Sequence, residues 1–191
     1  MRGVKKRVGV LALQGDFEAH EKALARAGAE AVEVRNAGEL QDVQALIIPG
    51  GESTTMLKLL DTSGLREPLR QFAETKPIFG TCAGAILVAR QVTNPVQESL
   101  GLMDIEVQRN AYGRQLDSRI VHLQPEMEGG DLEAVFIRAP IIRNIGPDAK
   151  VLARYNGDPV LVEQGRHLVA TFHPELGKDD RIHRFFLDKV E

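Results

Sequence analysis

With 191 residues, the chain suits one domain with a sizeable core and is short for two. Its 27% charged and 43% hydrophobic residues are the balance of an ordinary soluble globular protein. A net charge of -3 gives no electrostatic reason to expect nucleic acid or a membrane surface as partner, and the lone cysteine, Cys82, excludes an intrachain disulfide or a cysteine-based metal site.

The basic lead-in Arg2, Lys5, Lys6 and Arg7 precedes an apolar run, Val8–Leu13, that stops at Gln14-Gly15-Asp16. A secretory signal needs a longer apolar core, about 7–15 residues, and a small-residue cleavage site. The run therefore reads as a first strand, and with no apolar stretch near ~18 residues the chain is expected to be cytoplasmic. Asp16 can cap a helix over Phe17–Ala27, where Phe17, His20, Ala23, Leu24 and Ala27 fall at helical spacing and Gly28 closes the segment. Glu30–Arg35 alternates as a strand, and Ala45–Ile48 is a short apolar strand ending in Pro49-Gly50-Gly51. Ser53 can cap a helix through Leu60, and Leu65–Glu74 reads as another. Pro77–Gly80 is a fourth strand, with a helix over Ala83–Arg90.

From Leu102 the texture becomes more extended. Leu102–Gln108, Gln115–Leu123, Val135–Arg138, Val151–Tyr155, Pro159–Gln164 and His167–Phe172 read as strands, with turns at Asn156-Gly157 and Gln164-Gly165-Arg166. Asp179 starts a final amphipathic helix carrying Ile182, Phe185, Phe186 and Val190. The pattern predicts an α/β fold in one domain over residues 1–191: a doubly wound, mainly parallel central sheet flanked by helices, with additional antiparallel strands in the second half.

The chemistry concentrates in Gly80-Thr81-Cys82-Ala83-Gly84. A buried strand running through G-x-C-x-G into a helix is the layout of a nucleophile elbow with Cys in place of Ser. The helix N-terminus favours a thiolate at Cys82, and the Ala83 N–H can help hold an oxyanion. A lone cysteine is usually a small buried hydrophobe, so the elbow needs a base before it means catalysis.

Five histidines are present. His20 and His183, in predicted helices, read as ordinary surface or packing residues, and nothing local gives His122 or His167 a role. His173 differs, because it opens His173-Pro174-Glu175 at the end of a strand. Pro174 biases His173 towards an extended conformation, from which Glu175, two residues on, can reach its imidazole. A carboxylate there would fix the ring and favour the imidazolium that accompanies a thiolate. Elbow and turn both sit just past strand ends, where open α/β sheets place their sites. Together they favour a Cys82-His173-Glu175 triad over two unrelated turns.

Gly50-Gly51 can offer backbone N–H groups to a developing oxyanion, because no Cβ blocks the approach. Arg109 and Arg138 are candidates for a substrate carboxylate, and Glu52 for an ammonium group.

These residues resemble the class I, triad-type glutamine amidotransferases, and more narrowly the family of glutaminase subunits of pyridoxal 5'-phosphate synthases. The resemblance is carried in order by Leu13-Gln14-Gly15, Pro49-Gly50-Gly51-Glu52-Ser53-Thr54-Thr55-Met56, the elbow, Arg109-Asn110…Gly113-Arg114-Gln115, Phe136-Ile137-Arg138-Ala139-Pro140 and Phe172-His173-Pro174-Glu175. Ile86 stands where the broader class tends to carry Gln, as in the pyridoxal subfamily. The resemblance implies Cys82 as nucleophile with His173 and Glu175, and an oxyanion hole at Gly51 and Ala83. It also implies L-glutamine contacts from Gly51, Glu52, Ser53, Arg109, Ile137 and Arg138, with no metal and no organic cofactor. The expected partner is a (β/α)8-barrel synthase subunit in a large hetero-oligomer, with Gln14 at the interface and activity dependent on docking. A Cys-elbow protein of the intracellular-protease type is a rival, but those usually place His straight after the Cys, where this chain has Ala83. A non-catalytic binding subunit is the other, and has no need of all three triad residues.

Overall fold

The computed structural model describes residues 3–110 and 118–191, so Gly113, Arg114 and Gln115 of the expected motif lie outside the described residues. The first half alternates as its periodicity demands: β1 (Arg7–Leu11), α1 (Phe17–Arg26), β2 (Glu30–Val34), α2 (Ala37–Gln41), β3 (Ala45–Ile48), α3 (Ser53–Thr62), α4 (Arg66–Thr75), β4 (Ile78–Thr81) and α5 (Ala83–Val88). The second half adds β5 (Ala89–Thr93), β6 (Met103–Gln108), β7 (Arg119–Leu123), β8 (Leu132–Phe136), β9 (Ile141–Ile145), β10 (Lys150–Tyr155), β11 (Asp158–Gln164) and β12 (His167–Ala170). A 3-10 turn (Pro174–Leu176) and α6 (Arg181–Leu187) complete it.

Among the described residues the main sheet runs β10-β11-β12-β4-β3-β1-β2. β12, β4, β3, β1 and β2 are mutually parallel, while β10 and β11 pair antiparallel at one edge. The three-stranded β5-β6-β9 sheet and the β7-β8 ribbon flank it. This is the expected α/β architecture, a mainly parallel sheet with helices on its faces and antiparallel strands contributed by the second half.

Alternation along the central strands divides the core. Leu46 and Ile48 of β3 and Ile78 of β4 pack with α3, α4 and α5, whereas Ala45, Ile47 and Phe79 pack with α1 and α6 on the opposite face. Asn156 and Gly157, both at positive φ, make the tight β10-β11 turn that the Asn-Gly pair predicts.

Several boundaries differ from the sequence expectation. The helix over Ala83–Arg90 ends at Val88, because Ala89 turns extended and starts β5, which pairs with β6. The strand placed over Val135–Arg138 lies at Leu132–Phe136, since Arg138 takes φ 46 and cannot stay in a ladder. The strand expected through Phe172 ends at Ala170, and α2, β5 and β9 were not anticipated. No helix among the described residues is long and apolar enough to cross a membrane.

Candidate active site

The parallel order β12-β4-β3 brings three strand ends together: the turn after β3, the elbow after β4 and the His-Pro-Glu segment after β12. Cys82 has φ 50 and ψ -110, a strained conformation for a residue with a Cβ, held where its N–H donates to the Ala170 carbonyl at 2.9 Å. The flanking glycines permit this approach. A Cβ on Gly80 would stand 2.6 Å from the Gly84 carbonyl oxygen, and one on Gly84 would run into the Ile48 carbonyl. Helix α5 starts at Ala83; the N–H groups of Ala85 and Ile86 turn to the Cys82 carbonyl, at 3.0 and 3.4 Å, and those of Ala83 and Gly84 are left without an intrahelical acceptor at the Cys82 end. The Cys82 thiol lies 3.8 Å from the Ile137 carbonyl oxygen.

His173 and Glu175 are both buried, with His173 Nδ1 2.6 Å from Glu175 Oε1. The contact comes from a tighter chain path than an extended strand. Pro174 opens the 3-10 turn, whose curvature swings Glu175 back to the ring. The His173 N–H donates to the Val135 carbonyl at 2.8 Å, tying this segment to the end of β8. Gly50 packs against both side chains: a Cβ there would meet His173 Cε1 at 2.8 Å and Cys82 Cβ at 3.5 Å. Burial alone would lower the His173 pKa. Hydrogen bonds to Cys82 and Glu175, with the charges of both, outweigh it and raise the value to about 10. His173 is therefore an imidazolium at neutral pH, donating to Glu175.

The other expected residues ring this centre. Gly51 has φ 155, and a Cβ there would stand 2.8 Å from Gln14 Oε1, which accepts the Glu52 N–H at 3.0 Å. Glu52, rather than Ser53, caps α3: its carboxylate accepts from the N–H groups of Thr54 (3.1 Å) and Thr55 (2.7 Å). Burial pulls its pKa up, but the hydrogen bond from the Thr55 hydroxyl, at 2.7 Å, together with those from the two N–H groups, prevails and brings it down to about 2. Ser53 is buried and donates to Gln97 Oε1 at 3.0 Å. Arg109 reaches Glu52 Oε1 at 3.3 Å and Thr54 Oγ1 at 3.1 Å. Arg138 is exposed on the strained turn beside Ile137.

Sequence reasoning passed over two residues behind Glu175. His20 and His183 are fully buried and linked, His20 Nδ1 to His183 Nε2 at 3.0 Å. His20 Nε2 is 3.0 Å from Thr81 Oγ1 and 3.4 Å from Glu175 Oε2. The available signal was the place of His20 on the apolar face of α1, where a polar ring needs a partner. That partner lies 61 or more residues away, so nothing local names it. Burial, then the charges of His183 and His173, hold the His20 pKa well below its ordinary value, and burial takes His183 down to about 4.

Residues 10–191 match the model of the SNO glutamine amidotransferase family. The chain is 62% identical to the pyridoxal 5'-phosphate synthase subunit PdxT of Solibacter usitatus, covering 97% of this chain and all of that one. It is 55% identical to the protein of the same name from Koribacter versatilis, over 96% and 95% of the two chains. A solved structure described as a glutamine amidotransferase superposes with a TM-score of 0.90 at 49% identity, covering 95% of this chain and 97% of that one.

Proposed function

Because the chain belongs to the SNO glutamine amidotransferase family, we propose that it hydrolyses L-glutamine to L-glutamate and ammonia and supplies that ammonia to a synthase making pyridoxal 5'-phosphate. The single observation that carries the chemistry is the buried His173–Glu175 pair, 2.6 Å apart, set against a cysteine on a strained strand-to-helix elbow.

In the proposed reaction the Cys82 thiolate attacks the carboxamide carbon of glutamine. N–H groups at Gly51 and Ala83 hold the oxyanion, and both lie at the strand ends that meet here. The His173 imidazolium gives its proton to the departing ammonia, leaving a γ-glutamyl thioester and a neutral ring. That ring takes a proton from water as its oxygen attacks the thioester, and the breaking C–S bond returns the thiolate with glutamate. Glu175 keeps the ring oriented and offsets its charge.

Gly51, Glu52, Ser53, Arg109, Ile137 and Arg138 form the proposed glutamine pocket, Glu52 receiving the ammonium and an arginine the carboxylate. The proposed setting is a single cytoplasmic glutamine amidotransferase domain, docked through the region of Gln14 on a (β/α)8-barrel synthase subunit in a hetero-oligomer. The relatives' name supports that partner.

Glutamate release should be measured with the purified chain alone and with such a barrel subunit. The expected result is strong turnover with the barrel, lost in Cys82→Ala while the fold is kept. Appreciable turnover in Cys82→Ala would refute the nucleophile, and no turnover in a formed wild-type complex would favour a binding subunit.

A further inference from the structure

Glu175 has two faces, and the proposed reaction uses one. Oε1 binds His173, whereas Oε2 is buried and has no hydrogen bond of good geometry. A buried carboxylate oxygen without a donor is costly. The group facing it is His20 Nε2, at 3.4 Å.

Which nitrogens of the His20–His183 pair carry protons decides what Glu175 meets. If His20 Nδ1 donated to His183 Nε2, a neutral His183 would hold its proton on Nδ1, which is buried and has no partner. His20 would then turn a bare lone pair towards the carboxylate. The opposite arrangement removes both faults. His183 Nε2–H donates to His20 Nδ1, and His20 Nε2–H is shared between Thr81 Oγ1 and Glu175 Oε2. The remaining orphan is the lone pair on His183 Nδ1, less costly to bury than an orphaned N–H. Complete burial keeps both rings neutral, as this arrangement requires.

We propose that His20, fixed in its Nε2–H tautomer by His183, is a positioning residue that donates to the far oxygen of Glu175 and so orients the carboxylate holding His173. The proposal rests on the triad reading above. It also ties α1 and α6 to the elbow, since Thr81, which shares the His20 proton, directly precedes Cys82.

Cys82 is the only cysteine, so iodoacetamide alkylation of the full chain reports on that thiol alone and needs no partner. His20→Leu keeps bulk and removes the donor, whereas His20→Gln restores an N–H. The expected result for His20→Leu is an alkylation midpoint raised by about half to one pH unit. In the barrel complex kcat should fall ~10–100-fold with KM nearly unchanged, and His20→Gln should recover most of both. Glu175→Gln is the reference. If it moves the alkylation midpoint while His20→Leu does not, the positioning role is overturned and the triad stands. If Glu175→Gln moves nothing, the triad reading fails and the proposal falls with it. Nitrogen-15 NMR of the histidine-labelled wild-type chain decides independently of any variant's folding: His20 protonated at Nδ1 would overturn the proposal, and at Nε2 would support it.

Discussion

The pockets in front of and behind Glu175 hold the same side chain in opposite states. His173 is raised to about 10, His183 is lowered to about 4 and His20 is held well below its ordinary value. All three are at least nine-tenths buried, and burial pushes each ring towards neutrality. What separates them is the partners. In front, His173 meets a carboxylate oxygen at 2.6 Å and the thiol of Cys82. Behind, His20 meets another imidazole and a hydroxyl, and it feels the positive charge of His173 across the shared carboxylate. One carboxylate can neutralise one imidazolium, and the shorter contact claims it.

The sharpest way to break that contrast is to remove the charge between the pockets. Glu175→Gln leaves an amide of nearly the same shape. Its expected effect is a ~10²–10⁴-fold fall in kcat for glutamine hydrolysis in the complex, the range for losing a group that orients a catalytic base. His173, followed by its ring-proton NMR shifts, should titrate well below about 10 in that variant. If it kept its raised value, Cys82 alone would hold the charge and the contrast would owe nothing to Glu175.

The front of the site was legible in the sequence and the back was not, for a physical reason. G-x-C-x-G and His-Pro-Glu are local signals: backbone crowding by Gly84 and Ile48 demands the glycines, and the proline sets the turn that delivers Glu175. The parallel half of the sheet was legible too, since Ala45–Ile48 and the Ile78-Phe79-Gly80 stretch of β4 are short, fully buried apolar runs. His20 and His183 gain meaning only when α1, α6 and β4 meet, and each alone reads as a helix residue. Strand β9, Ile-Ile-Arg-Asn-Ile, is too short and half exposed to stand out between Pro140 and Gly146. The cap of α3 falls on Glu52 and not on Ser53, the commoner capping type, because the longer carboxylate spans to two N–H groups here.

A second test compares the pockets through stability, where the two states carry opposite signs. His183 and His167, both brought to about 4 with burial the largest cause, bind protons more readily unfolded, near 6.5. Their contribution is present above about 6.5 and is lost as pH falls through about 4. His173 behaves inversely: its contribution is full below about 6.5 and is lost as pH rises through about 10. Unfolding free energies from urea titrations should therefore drop on both sides of neutrality, with a ceiling of roughly 3 kcal/mol per acid-side histidine. His183→Leu should flatten the acid limb and shift the alkaline limb only slightly, through the loosened His20. An unchanged acid limb would mean that His183 does not titrate there and that the back pocket is not held neutral by burial.

The smallest expected effect concerns a second carboxylate, which shows what Glu175 would be without its histidines. Glu52 is half exposed and serves a helix end, accepting from Thr54 N, Thr55 N and Thr55 Oγ1. Glu52→Ala removes the cap and should cost about 1 kcal/mol, seen as a Tm lower by about 3 °C for a chain of this size. Glu52→Gln keeps an oxygen for one of those N–H groups and should lose less. The pair separates capping from substrate binding. A cap alone predicts that Tm follows the loss of acceptor while the KM for glutamine stays fixed in both variants. A carboxylate that also meets the substrate ammonium predicts a raised KM in Glu52→Gln, where the charge is gone but the cap persists. A normal KM in Glu52→Gln would leave Glu52 to its helix and pass the ammonium to other groups of the pocket.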